Sequence, residues 1–291
     1  MEVLIQANNQ LGEGPVWDHR NNELLWVDIE KRTLNFFNFI SGTEKNHSFG
    51  HRLGAVIPIE NSTNYLLALQ NGLAFFNREN ESLTYISNPE SEIENNRFND
   101  GKCDPAGRFW IGSMDVNAAN DKGSLYYVDD FLTVIKMLSN ATIPNGLAWT
   151  ETGKQMYYID TATRSVTQFD FDIGSGAIKN PEIVIKVPKE MGLPDGMCID
   201  TEGMLWIANW GGANISRWNP LSGQLLQKVG VPALHVTSLC FGGINLDTLF
   251  ITSAKAGLSK KQLIEYPLSG SVFKYSPDIP GLRSAFFKLS H

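Results

Sequence analysis

Cysteine is scarce in this chain of 291 residues, and the three cysteines present form no pairing pattern. Cys103, Cys198 and Cys240 contain no CxxC pair, and an odd number excludes a framework in which every cysteine is bridged. Free cysteines of this kind are typical of a reducing compartment. We therefore expect a cytoplasmic protein.

Long hydrophobic runs and blocks of like charge are also missing. The 24 basic and 31 acidic residues give a net charge of −7, and the basic residues form no stripe that would attract nucleic acid. No apolar stretch approaches the ~18 residues of a membrane span. Residues 1–10 lack the cationic and apolar regions of a signal peptide. The sequence thus predicts neither a nucleic-acid nor a membrane partner, and it favours cations or small neutral molecules.

What the chain does contain is a repeated two-residue pattern, an acidic or amide residue followed by glycine. The intervals are about 45 to 50 residues, or close to twice that, which indicates a repeat architecture. The members are Glu13-Gly14, Asp100-Gly101, Asn145-Gly146 and Asp195-Gly196. Segments 53–55 and 237–239 fill the remaining places at similar spacing, although they lack the acidic residue. Six repeats then account for the whole chain.

Short apolar or aromatic runs follow each member of the pattern by roughly eight to eleven residues. These runs are residues 24–27, 65–69, 109–111, 156–159, 205–208 and 249–251. They are too short for helices, are rich in β-branched and aromatic residues, and are bounded by turn-forming residues, so we predict strands. The best helical candidate, residues 260–266, is short. Three or four strands in a repeat of about 48 residues are typical of a β-propeller blade.

We therefore predict an all-β protein with one six-bladed β-propeller domain over residues 1–291. Residues 2–5 are expected to supply the outer strand of the last blade, which closes the ring and leaves few free edges. The innermost strands of a propeller run beside a central channel. Residues at equivalent repeat positions should therefore converge at one height around that channel.

This convergence predicts a metal site at the channel mouth. Glu13, Asn145 and Asp195 occupy the same place before glycine and would bring together two carboxylates and an amide. Such oxygen donors suit one divalent cation, Ca²⁺, Mg²⁺ or Mn²⁺, and Zn²⁺ also accepts carboxylates. Taken singly, each pattern is also a common tight turn. Turn residues occur elsewhere in each repeat, however, and Glu13 is a poor turn residue between Gly12 and Gly14, so we favour the metal site.

Longer motifs around these residues resemble the regucalcin, senescence marker protein and gluconolactonase family. The motifs are GEGPVW at 12–17, RFNDGK at 97–102, DPAGR at 104–108, PNGL at 144–147, PDGM at 194–197 and SLCFGG at 238–243. The resemblance runs in unbroken order over residues 11–275. It implies a six-bladed propeller and a calcium- or zinc-type metalloenzyme that hydrolyses sugar lactones.

The resemblance also implies residue roles. Matched by position, the metal ligands fall on Glu13, Asn145 and Asp195, and Arg97 and Asn99 fall on the substrate side. The strict repeat would instead select Asp100, because Asp100 directly precedes its glycine; we follow the family and place Asn99 in the pocket.

Two substrate-side assignments depend on the resemblance alone. Without it, we would assign Arg97 to a surface salt bridge with Glu92 or Glu94. Where animal regucalcins carry an acidic residue at the substrate rim, this chain has Asn117, in a loop from Asp115 to Gly123 that we interpret as a mobile lid. This departure affects which sugar lactone fits, with Asn117 as a substrate-binding candidate.

The leading functional hypothesis is metal-dependent hydrolysis of an aldono-1,4- or 1,5-lactone, such as gluconolactone, to the free sugar acid. Asp195 is the candidate general base, and the alternative is an ionised metal-bound water that Asp195 only orients. Two other functions stay open, an organophosphate or ester hydrolase that uses the same metal site and a non-catalytic calcium-binding propeller. The sequence predicts no oligomeric state.

Overall fold

The computed structural model describes residues 1–290 as six four-stranded antiparallel sheets, which we call blades one to six. From the innermost strand outwards, blade one contains Gly12–Asp18, Glu23–Asp28, Thr33–Asn38 and Glu44–Ser48. Blade two contains Leu53–Pro58, Asn64–Leu69, Gly72–Asn77 and Ser82–Ser87. Blade three contains Asn96–Cys103, Phe109–Asp115, Gly123–Val128 and Val134–Ala141. Blade four contains Pro144–Trp149, Gln155–Asp160, Ser165–Phe171 and Ile178–Lys186. Blade five contains Leu193–Ile199, Leu205–Trp210, Asn214–Asn219 and Gln224–Gly230. Blade six contains His235–Gly242, Thr248–Ala254, Val272–Tyr275 and Glu2–Ile5.

The blades close into a ring. Each innermost strand contacts the innermost strand of the next blade, and Gly12–Asp18 of blade one contacts His235–Gly242 of blade six. The N-terminal strand Glu2–Ile5 pairs with Val272–Tyr275 and completes blade six. The prediction of an all-β, six-bladed propeller closed by residues 2–5 is therefore confirmed.

Apolar side chains from adjacent blades pack into a core between them. Between blades three and four, Trp110 and Trp149 lie with ring centroids 5.9 Å apart, and Phe171 packs beside both. The indole N–H of buried Trp110 donates to Asp104 at 2.9 Å, and that of Trp206 donates to Asp200 at 3.0 Å. Buried indoles thus fix the turns that follow two innermost strands.

Helical structure within residues 1–290 is limited to one α-helix, Lys260–Glu265, and two 3₁₀ turns, Thr161–Thr163 and Lys189–Met191. A capping box between Ser259 and Gln262 begins the α-helix, which coincides with the short helical candidate in the sequence. No helix in this part of the chain is long and apolar enough to cross a membrane.

Every innermost strand contains a β-bulge near its beginning, where the pairing with the second strand shifts. The shifts fall at Glu13/Val16, Leu53/Ala55, Phe98/Gly101, Pro144/Leu147, Pro194/Met197 and Val236/Leu239. Bulges redirect side chains and are frequent beside active sites. In this fold they lie at the same end of the ring in all six blades, and they define what we call the channel mouth.

The bulges also settle the register of blade three. Asn99, Asn145 and Asp195 are each the first unpaired residue of their bulge. Gly101 is already paired with Ile111, whereas Gly146 and Gly196 lie within their bulges. Asn99, and not Asp100, is therefore structurally equivalent to the other two.

The opposite end of the channel is crossed by the C-terminal segment. Gly281, Ala285 and Phe287 form bridges to Asp200, Cys103 and Ile59, which follow or end the innermost strands of blades five, three and two. This segment covers the far end and leaves the channel mouth as the end where the candidate residues collect.

Candidate metal and substrate site

The candidate residues of the sequence meet at one cavity in the channel mouth, with a volume of about 210 Å³. Five of them line it, and each is at most 8% exposed: Glu13, Arg97, Asn99, Asn145 and Asp195. They come from blades one, three, four and five, so only closure of the ring brings them together.

Two buried carboxylates dominate the charge of this cavity. Burial and the nearby Asp100 carboxylate raise the pKa of Glu13 to about 8. Burial, followed by the charges of Glu13 and Asp100, raises the pKa of Asp195 well above its usual value. The Oδ1 atom of Asp195 is buried and has no hydrogen-bond partner among the described residues. Two close carboxylates with an unpartnered oxygen are the electrostatic situation that a bound cation relieves.

The amides of the cavity are held in fixed orientations by a chain of hydrogen bonds. The Nδ2 of Asn99 donates to Oδ1 of Asn145 at 3.0 Å and to the carbonyl of Pro144 at 2.9 Å. The Nδ2 of Asn145 donates to the hydroxyl of Thr161 at 2.7 Å, and that hydroxyl donates to the carbonyl of Pro194 at 2.7 Å. The amide oxygen of Asn145 is thereby turned away from Thr161.

Thr161 was missed by the sequence analysis. It follows the second strand of blade four, at the end of that strand nearest the mouth, and it links blade four to blade five. Its only sequence signal is a polar residue where the second strand of a ligand-bearing blade ends.

Arg97 is buried in the cavity wall and makes no salt bridge within residues 1–290, so the alternative of a surface pair with Glu92 or Glu94 is wrong. Its Nη1 donates to the carbonyl of Phe98 at 2.9 Å and to Oδ1 of Asn99 at 2.7 Å. Burial lowers the pKa of Arg97 to about 10, which leaves the guanidinium charged at neutral pH.

These residues fit a divalent cation bound by oxygen. Glu13 and Asp195 supply carboxylates, and Asn145 supplies an amide oxygen whose orientation is fixed. No group of three or more His, Cys, Asp or Glu side chains in residues 1–290 could hold a metal, so a cation here needs the amide as its third ligand. An all-oxygen donor set favours hard cations such as Ca²⁺ or Mg²⁺ over zinc.

Asn117 lies apart from the other candidates. It is exposed in the turn after strand Phe109–Asp115 and does not line the cavity. The Asp115 carboxylate accepts a hydrogen bond from the Asn117 N–H at 2.7 Å, which orders the turn. The substrate contact of Asn117 and the lid motion of this loop remain predictions.

The family model described as the SMP-30/gluconolactonase/LRE-like region matches residues 11–255. The chain belongs to this family. Zebrafish regucalcin is 36% identical over 276 residues, which cover 94% of this chain and 93% of that protein. A candidate sugar lactone lactonase of Bacillus subtilis, YvrE, is 33% identical over 289 residues and 99% of both chains.

Among solved structures, the regucalcin of Agrobacterium tumefaciens, described as a calcium-binding protein, superimposes with a TM-score of 0.94. It shares 28% sequence identity, and the match covers 99% of this chain and 97% of that chain. The six-bladed fold is therefore that of the regucalcin family.

Proposed function

We propose that this family member is a divalent-cation-dependent lactonase that opens a lactone ring to the hydroxy acid. The resemblance in sequence makes an aldono-1,4- or 1,5-lactone, such as gluconolactone, the first substrate class to test. The observation that carries the proposal is the juxtaposition of two buried carboxylates and an oriented amide with a buried arginine in one cavity. A purely structural cation would not require the arginine beside it.

Each residue of the cavity has a place in this proposal. Glu13, Asn145 and Asp195 would hold the cation. The chemistry that a bound divalent cation supplies is stabilisation of negative charge on the lactone carbonyl oxygen, worth several kcal/mol. Arg97, fixed by its hydrogen bonds to Phe98 and Asn99, presents its remaining N–H groups to the lactone oxygens.

Asp195 is the proposed general base, because its Oδ1 is buried and has no hydrogen-bond partner in the part of the chain that the structure describes. It accepts a proton from the attacking water and returns it to the departing ring oxygen. A positioned base of this kind contributes a factor of about 10²–10⁴ to the rate.

The Asp195→Asn variant tests this role, because asparagine keeps an oxygen ligand but cannot accept the proton. We expect turnover to fall by about 10²–10⁴ while calorimetry still detects cation binding. Asp172→Asn, on an exposed turn outside the cavity, is the matched control and should keep full activity. Turnover that survives in Asp195→Asn with cation bound would leave Asp195 only an orienting role.

The proposed activity is tested by proton release from a panel of lactones after chelation and re-addition of Ca²⁺, Mg²⁺, Mn²⁺ or Zn²⁺. We expect activity to disappear on chelation and to return with at least one cation. Flat traces with every lactone, together with cation binding by calorimetry, would instead support a non-catalytic calcium-binding propeller. Release of acid from esters or organophosphates alone would support the other hydrolase.

A further inference from the structure

Trp210 is the one tryptophan within residues 1–290 that is not buried in the core. The chain has seven tryptophans, and six of them are at most 5% exposed: Trp17, Trp26, Trp110, Trp149, Trp206 and Trp218. Trp210 is only partly buried and lines the cavity at the channel mouth. Because an indole loses hydrophobic stabilisation when part of its surface stays in water, the exposed part is a surface that a ligand can cover.

The ring of Trp210 is held in a fixed orientation by His235. The indole and imidazole rings are stacked, with ring centroids 3.9 Å apart and planes 24° from parallel. The Nδ1 of buried His235 is 3.0 Å from the carbonyl oxygen of Ala256, which fixes the imidazole in turn. His235 covers one face of the indole, so the part that lines the cavity is the other face and the ring edge. A ring that is already ordered loses little entropy when a ligand binds to it.

The rest of the cavity wall supplies hydrogen-bonding groups. Trp210 and His235 lie where blades five and six meet, whereas Arg97 belongs to blade three on the other side of the ring. Arg97 retains N–H groups beyond those that its Nη1 uses, and the Oδ1 of Asp195 has no partner among the described residues. The Glu13 carboxylate lines the same cavity. The cavity therefore combines one aromatic wall with charged and polar groups around the remainder.

A sugar-lactone ring has the same division of its surface. Its hydroxyls and lactone oxygens lie mostly at the ring edge, whereas its faces carry C–H bonds. A C–H face can stack on an indole without the loss of a hydrogen bond, while hydroxyls at the edge can reach the guanidinium and the carboxylates. The cavity volume of about 210 Å³ suits a single ring of this kind.

Resting on the lactonase activity proposed above, we infer that Trp210 is a substrate-binding residue whose free indole face stacks on the C–H face of the sugar-lactone ring. His235 is a positioning residue that acts through Trp210. Burial of roughly 50 Å² of C–H surface against the indole corresponds to about an eightfold change in affinity. Because the contact involves the ring face and not the reacting carbonyl, its loss should raise KM without lowering kcat.

Binding can be observed directly through the indole. Glucono-1,5-lactam, which keeps the ring but resists hydrolysis, would be titrated into the Ca²⁺-loaded protein while tryptophan fluorescence is recorded. Because the other six tryptophans are buried, we expect the emission change to come from Trp210 and to disappear in Trp210→Phe. Calorimetry would give the lactam affinity of each variant, and Trp210→Leu should bind about eightfold more weakly than the wild type.

The kinetic test separates a binding surface from a purely structural role. With glucono-1,5-lactone, Trp210→Leu should raise KM about eightfold and keep kcat within about twofold of the wild type. Trp210→Phe, which keeps a smaller aromatic face, should have an intermediate KM. Phe131→Leu is the matched control, because it removes an aromatic ring that is 76% exposed and lies outside the cavity, and it should change neither constant.

Paired variants test the positioning role of His235. His235→Phe keeps a ring stacked on the indole and should retain the lactam affinity, whereas His235→Leu should weaken it by about threefold or more. In the Trp210→Leu background, His235→Leu should have no further effect, and additive losses would overturn the positioning role. Thermal melting identifies a variant that fails to fold, in which case the comparison of Trp210→Phe and His235→Phe with the wild type decides.

The outcomes separate this inference from the lactonase. Equal lactam affinities of the wild type and Trp210→Leu, or no emission change at saturation, would overturn the stacking and leave lactone hydrolysis as proposed. Lactam binding that depends on Trp210, without hydrolysis of any lactone, would support the stacking and refute the lactonase.

Discussion

Replacement of Gly146 by alanine tests how the repeat glycines position the candidate site. Gly146 follows the candidate ligand Asn145 and lies against the neighbouring innermost strand. An added Cβ would lie 2.6 Å from the Cβ of Met197 and 2.8 Å from the backbone oxygen of Asp195. Contacts between such atoms are optimal at about 3.5–4.0 Å, so the strand that carries Asp195 must move away.

The magnitude follows from two opposing terms. Overpacking of this kind costs about 1–3 kcal/mol, and alanine recovers about 0.4–1 kcal/mol by restricting the unfolded chain. We expect a net loss of about 1–2 kcal/mol in the free energy of unfolding, or about 2–8 °C in Tm. Because Asp195 moves relative to Asn145, cation affinity should also fall, by at least about tenfold.

Thermal melting and urea unfolding would measure the first effect, and calorimetry with Ca²⁺ the second. Gly230→Ala is the control, since no heavy atom lies within 4 Å of its added Cβ and its φ is not in the left-handed region. This control should be as stable as the wild type or slightly more stable. Equal melting temperatures for the two variants would refute the steric argument, and unchanged Ca²⁺ affinity in Gly146→Ala would refute the link to the site.

Two other predictions concern side chains around the cavity. Thr161→Val removes the hydroxyl that accepts a hydrogen bond from the Asn145 amide, so Ca²⁺ affinity measured by calorimetry should fall by about 10- to 100-fold. Thr161→Ser keeps the hydroxyl and should retain the affinity. Equal Ca²⁺ affinities of the two variants would contradict an orienting role for Thr161. Burial lowers the pKa of His235 in the folded protein. As the pH falls below about 6.5, His235 is therefore protonated in the unfolded chain before it is protonated in the folded protein. This preferential protonation of the unfolded chain lowers the free energy of unfolding. Between pH 7.5 and 5.5, urea titrations should therefore show a smaller loss of unfolding free energy for His235→Phe than for the wild type. Equal losses in the two proteins would contradict this role of His235.

The sequence predicted the fold from its repeat, including repeats whose signature is incomplete. Leu53 and His235 begin innermost strands although neither segment 53–55 nor segment 237–239 contains an acidic residue before glycine. The prediction succeeded because strand alternation and repeat length are local properties of the chain. A closing strand at residues 2–5 was predictable for the same reason, since an unpaired edge is unfavourable.

The candidate site was only partly predictable. The sequence selected Glu13, Asn145 and Asp195, and the structure brings all three to one cavity, where their roles await experiment. The strict repeat pointed to Asp100 and only the family resemblance to Asn99, because the choice depends on a bulge that shifts pairing by one residue. The sequence could not find Thr161, whose partners lie 16 and 33 residues away.

By itself, then, the sequence determined the period, the strand character and the acidic or amide residues that recur before glycine, because these features are set by neighbours along the chain. Only the tertiary structure decided which of them meet, how deeply Arg97 is buried and which side chains cover the ligands. Those outcomes depend on ring closure and on bulge register, which place residues from four blades around one channel mouth.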